Sequence, residues 1–192
     1  MRTLLVAILV GLAGTTAFAG LDPATDSFGI YFDLDGTTNC TTAGAFQPLT
    51  AYLILMNPAG PTNGFECSVA VTGVPHFFLS TVMTDCMIDT DYPPGDYWCG
   101  SASDYTARPG GAVILVTWVL MLQSPVELLF HIGPSSIPSL PGGLPVVTGN
   151  GVLRQCGVAS GDISQPVAGI NAALCPVGDE VSSFGRVKSL FR

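Results

Sequence analysis

Apolar stretches of strand length recur along the chain between clusters of Gly, Pro, Asn and Asp, at 27–33, 49–56, 65–72, 76–83, 112–122 and 126–132. In 65–72, Phe65, Cys67, Val69 and Val71 alternate with Glu66, Ser68, Ala70 and Thr72. That is the period of a strand with one face buried. The run 112–122 is apolar throughout and β-branched in its first half. It is far shorter than the roughly 20 residues of a membrane helix, so it reads as a central strand with Trp118 in the core. Later strand signals are weaker, at 145–148, 152–157 and 167–174, with a turn at Pro141-Gly142-Gly143. No internal repeat is evident. The spacing predicts an all-β fold, an antiparallel β-sandwich rather than alternating helices and strands.

Both ends depart from this pattern. Val181, Phe184, Val187 and Leu190 recur every third residue, with Arg186, Lys188 and Arg192 close by. This predicts a short amphipathic C-terminal helix or tail over 179–192, with cations where they complement a helix dipole. At the other end, Met1 and Arg2 precede an apolar run over 4–13 and the small-residue close Ala17-Phe18-Ala19. That order is the one a signal peptidase reads. The expectation is a signal peptide over 1–19 and a domain over 20–178, secreted or held in the cell envelope, periplasmic or extracellular, without a transmembrane anchor.

Charge narrows the partners. The 192 residues carry 14 acidic and 6 basic side chains, a net charge of −8. Loss of Arg2 with the leader would make it −9, which repels phosphate backbones and anionic lipid alike. Nucleic acid is therefore excluded as a partner. Charged residues make up only 10% of the chain against 48% hydrophobic ones. Such a surface is either covered by self-assembly or by an envelope protein, or built from Ser, Thr and Gly.

Six cysteines, Cys40, Cys67, Cys86, Cys99, Cys156 and Cys175, contain no C-x-x-C pair, and only two histidines accompany them. A zinc site is not indicated, and an even count in an exported chain favours disulfides. Near-neighbour pairing would join Cys40 to Cys67, Cys86 to Cys99 and Cys156 to Cys175. Sequence alone does not select it among the alternatives.

Candidate chemistry is sparse. Tyr31-Phe32-Asp33-Leu34-Asp35-Gly36-Thr37 resembles the nucleophile loop of haloacid dehalogenase-type phosphatases. That resemblance implies Asp33 as nucleophile and Asp35 as acid and base. The chemistry also needs a cation for the phosphoryl group and more carboxylates for magnesium. The one lysine, Lys188, follows every acidic residue, and no alternating helices are predicted. A strand ending in a Gly turn accounts for the same residues. Asp33, Asp35 and Asn39 also form part of a calcium-loop pattern, but Tyr31 and Gly44 stand where further ligands belong.

A second acidic group, Asp85, Asp89, Asp91 and Asp96, lies in and beside the segment between Cys86 and Cys99, where a disulfide would hold the carboxylates for a structural calcium ion. Tyr92, Tyr97 and Trp98 surround Pro93-Pro94-Gly95, a composition that suits stacking against a glycan. Asn39-Cys40-Thr41 fits a glycosylation acceptor, expected to go unused in a bacterial chain. His76 and His131 have no nucleophile motif near them, so no triad assembles and no catalytic residue is assigned.

The segments 28–33, 38–40, 64–67 and 184–192, read as Phe28-Gly29-Ile30-Tyr31-Phe32-Asp33, Thr38-Asn39-Cys40, Gly64-Phe65-Glu66-Cys67 and the Phe184 to Arg192 ending, resemble a group of secreted bacterial proteins. A looser similarity is to cohesin-like sandwiches. The resemblance implies an immunoglobulin-like or cohesin-like sandwich of the binding or surface type, with no activity attached. The expected function is a binding or structural role. The alternative is a metal-dependent phosphohydrolase using Asp33 and Asp35.

Overall fold

A computed structural model describes residues 22–91 and 93–177, apart from the side chains of 88–91. The expected leader over 1–19 and the expected helix over 179–192 lie outside the described residues. Within them every regular element is a strand. In chain order these are β1 (Ser27–Tyr31), β2 (Cys40–Thr41), β3 (Leu49–Met56), β4 (Gly64–Gly73), β5 (His76–Met83), β6 (Ile88–Asp91) and β7 (Asp96–Gly100). They are followed by β8 (Ala112–Leu122), β9 (Leu128–Gly133), β10 (Val146–Gly149), β11 (Val152–Gln155), β12 (Gly157–Val158) and β13 (Ala168–Ile170). The segments 49–56, 76–83 and 112–122 have the bounds that their apolar patterns predict.

Two sheets face each other. The first runs β12-β1-β3-β8-β5. The second is organised on β4, whose residues 64–68 pair with β7, 64–66 with β10 and 68–73 with β9. β6 extends it beyond β7, β11 beyond β10, and β13 then β2 beyond β9. Between the named strands pairing is antiparallel except for β1 with β12 and β13 with β2. These two short parallel pairs amend the purely antiparallel expectation. They arise where the chain crosses from one sheet to the other.

The core fills the space between the sheets. Phe28, Ile30, Leu53 and Leu55 from one sheet meet Phe65, Cys67, Leu128 and Phe130 from the other, each at most 4% exposed. Trp118 is 1% exposed, as its place in the apolar run predicts. Strand β8 buries Leu115 and Val116 in succession, which strict alternation forbids. The cause is a shift in register: Leu53 pairs with Val116 and Ile54 with Ile114, so Leu115 is the extra residue of a bulge. A smaller cluster of Tyr31, Ile54, Met56 and Ala112 lies apart from this core.

The alternation in β4 holds on the core side, where Phe65, Cys67 and Val69 are buried, yet Glu66 is only 7% exposed. The segment 134–144 covers the outer face of this sheet. There Ser139 donates its backbone N–H and its hydroxyl to the Glu66 carboxylate, each at 2.6 Å. Asp96 is treated alike, accepting from the Ser136 N–H at 3.1 Å and remaining 4% exposed. Hydrogen bonds to the charged form make such burial tolerable.

The disulfide map differs from near-neighbour pairing. Cys86 joins Cys99 as expected, but Cys40 joins Cys175, with Cα atoms 5.7 Å apart. Cys67 and Cys156 are free and buried, so neither makes the expected bond to Cys40 or to Cys175. The reason is the sheet order. β13 leads directly to Cys175 and lies beside β2, which begins at Cys40.

Candidate functional site

The 33–37 segment is a self-contained turn. Asp33 accepts from the backbone N–H groups of Asp35 (2.9 Å) and Thr37 (3.0 Å) and from the Thr37 hydroxyl (3.0 Å). Burial acts to raise the Asp33 pKa, but hydrogen bonds from Thr38, Thr37 and Asp35 outweigh it and hold the carboxyl below its ordinary value. Asp35 pairs with Arg108 at 3.3 Å, with both side chains exposed. Gly36 adopts φ +69°, the left-handed conformation that the turn requires. A phosphatase nucleophile needs an unencumbered carboxylate facing a helix N-terminus or a metal. Here the carboxylate caps its own loop.

Asn39 does not join Asp33 and Asp35 as a calcium ligand. It is 4% exposed, and its side-chain amide donates to the carbonyls of Val167 (3.4 Å) and Val177 (3.2 Å). The same burial removes it as a glycan acceptor. Of the four carboxylates around the second disulfide, Asp85 is exposed at the turn after β5, with φ 49°. Asp96 is bound under the 134–144 segment instead, and the side chains of Asp89 and Asp91 lie outside the description. Among the described residues no group of three or more His, Cys, Asp or Glu side chains is placed to hold a metal ion.

The aromatic residues also part company. Adjacent residues of a strand point to opposite faces, and Tyr97 and Trp98 are neighbours on β7. Tyr97 is 3% exposed in the core, its hydroxyl accepting from the Trp118 indole N–H at 3.0 Å. Its ring is therefore not a surface for stacking sugar. Trp98 faces the other way, into a shallow recess of about 220 Å³ with Glu66, Val146 and Leu153. Tyr92 lies outside the described residues.

What the structure does assemble is a cleft at the open flank of the sandwich. It has a volume of about 660 Å³ and lies between β5 and the turn joining β6 to β7. Val69 and Val71 of β4, His76 and Phe78 of β5, Pro94 and Tyr97 line it. The turn is held close, with the Val69 N–H donating to the Gly95 carbonyl at 2.6 Å. Gly95 has φ +87°, and a Cβ there would run into the Val69 carbonyl. The Cys86–Cys99 disulfide ties the end of β5 to β7 and so fixes the width of this flank.

Beside the cleft, β5 is the outermost strand of its sheet. Phe77, Phe78, Leu79 and Val82 are between 42% and 59% exposed. Phe78 packs on Trp118 and His76, the latter edge-on at 5.4 Å between ring centres. The His76 Nδ1 lies 3.2 Å from the Val74 carbonyl, so the ring is held in place. The sequence marks 76–83 as a strand but does not say that it ends a sheet. Pairing with β8 alone leaves one side of its backbone open.

The molecule is thus a two-sheet β-sandwich with an apolar cleft beneath an uncharged edge strand. The sequence matches no protein-family model and no curated protein. In structure it is similar to cohesin modules. A type II cohesin dyad from the ScaA adaptor scaffoldin of Acetivibrio cellulolyticus superposes with a TM-score of 0.49 and 16% identity, over 78% of this chain and 49% of that one. A type II cohesin domain from the cellulosome of the same organism gives 0.47 and 13%, over 81% of this chain and 100% of the other. The cohesin module of a Clostridium perfringens family 33 glycoside hydrolase gives 0.43 and 10%, over 68% and 90%. The likeness concerns the fold.

Proposed function

We propose that this chain is an exported, non-catalytic β-sandwich that binds an extended protein segment along β5, with apolar side chains of that segment entering the cleft. The observation that carries the reading is β5 itself. It is eight residues long, free of charge and proline, and its large apolar side chains stand exposed beside a cleft of about 660 Å³. An open strand edge offers backbone donors and acceptors to another strand, and pockets beside it select alternate side chains. Export is supported by the leader-like N-terminus and by two disulfides, which persist in oxidising compartments.

Binding to an array of extended peptides tests this. Peptides with alternating apolar residues should be captured by the wild type and lost on Thr81→Pro, which removes an edge N–H. A folded wild type that captures no peptide, yet binds glycans through Trp98, would overturn it. Phosphoester hydrolysis with magnesium supplied should stay at background and be unchanged by Asp33→Asn.

A further inference from the structure

Natural sheets blunt their edges with short strands, charge or proline. The other terminal strands obey this rule. β2 and β12 have two residues each, β6 carries Asp89 and Asp91, and β11 is four residues long and carries Arg154. Among the described residues β5 alone is a long, uncharged edge.

Its hydrogen bonding specifies what fits there. The Pro75 carbonyl accepts from the Gln123 N–H, and the Thr84 N–H donates to the Leu115 carbonyl. Both ends of the strand therefore turn these groups inward, toward β8. Between them the register passes from Phe78 opposite Leu120 to Ser80 opposite Val119, which makes Leu79 an extra residue. Antiparallel strands point their backbone groups to alternate sides. Counting in from both ends across this bulge leaves His76, Phe78, Thr81 and Met83 directed outward, and Phe77, Ser80 and Val82 toward β8.

This outward set maps onto itself when the strand is reversed. His76 then lies opposite Met83 and Phe78 opposite Thr81, so donors meet acceptors at these four positions, on either side of the bulge. The same reversal sets Phe77 opposite Val82, an aromatic facing a β-branched residue, twice over. Cross-strand pairs of that kind stabilise antiparallel ladders. A two-fold interface requires this self-complementarity.

We propose that β5 pairs antiparallel with β5 of a second copy, joining two five-stranded sheets into one and setting the two clefts side by side. This rests on the reading of β5 as the binding edge and names its occupant. Each chain carries a net charge of −8, so the copies repel at a distance while the strand that joins them carries no charge. Added salt should screen the repulsion and strengthen the pair.

Sedimentation of the full chain over a range of concentrations provides the test. The wild type should pass from monomer to dimer, more readily at high salt. Val82→Lys should raise the dissociation constant by roughly ten-fold or more, because it sets a charge opposite Phe77. Thr81→Pro should do the same with unchanged circular dichroism. A wild type that stays monomeric, a dimer indifferent to both changes, or a dimer lost on deleting 179–192 but kept by Val82→Lys would each overturn the self-pairing. Peptide capture by a monomeric wild type would overturn it while leaving the binding edge in place; loss of both would sink both.

Discussion

Cys67 and Cys156 show how strand geometry decides the chemistry of a residue. The pairing of Glu66 with Val146, extended by one step, sets Cys67 opposite Pro145. The Cys156 N–H donates to the Pro145 carbonyl at 2.8 Å, so Pro145 stands between the two cysteines. Two strand spacings are about 10 Å, beyond the reach of a disulfide. Burial raises the thiol pKa of Cys67 well above its ordinary value. It pushes Cys156 up to about 12, with the nearby Asp26 charge adding to the effect. Thiols raised in this way hold protons in the folded chain that the unfolded chain releases from about pH 9 upward. Their contribution is complete below about pH 9 and falls as the pH rises toward 12. Urea midpoints measured at pH 8 and pH 10 should therefore drop at the higher pH, and drop less in a Cys67→Ala, Cys156→Ala double variant. Iodoacetamide should modify two thiols only after unfolding. The same alternation separates Tyr97 from Trp98, a split visible in the sequence only once 96–100 is recognised as a strand.

At the scale of elements, β3, β5 and β8, whose apolar patterns run for eight residues or more, have the expected bounds, and the weaker signals at 145–148 and 152–157 fall on β10 and β11. β7 was not legible, because Asp96-Tyr97-Trp98-Cys99-Gly100 follows Pro-Pro-Gly and reads as part of a turn. β2 and β12 are too short to show a period. What binds the elements across the sandwich is partly polar. Arg154 on β11 makes a two-pronged pair with Asp26 before β1, at 2.9 and 3.3 Å, and also donates to Pro61 and Thr62. Both side chains are under one-fifth exposed. Arg154→Ala should therefore lower stability by about 3–5 kcal/mol, since it leaves a buried carboxylate unpaired. Denaturant unfolding measures this, and Asp26→Asn added to it should recover part of the loss. Neither partner was marked by the sequence, for they lie 128 residues apart.

Across the whole molecule, the Cys40–Cys175 disulfide closes almost the entire described domain, spanning 135 positions. Cross-linking so long a loop restricts the unfolded chain strongly. A Cys40→Ala, Cys175→Ala variant should lose about 2–5 kcal/mol, read from its thermal or urea transition. The bond depends on β13 lying beside β2, a neighbourhood that near-neighbour counting along the chain does not reveal. The sequence by itself determined that the chain forms strands, which of their faces are apolar and that Trp118 is core. Each of these depends on a period or spacing within one short stretch. Only the tertiary structure decided that Glu66 and Asp96 are covered, that Cys40 bonds to Cys175, that Cys67 and Cys156 stay thiols and that β5 ends its sheet. Those facts depend on which strands become neighbours, and that choice is made by packing between segments far apart in the chain, where local periodicity carries no information.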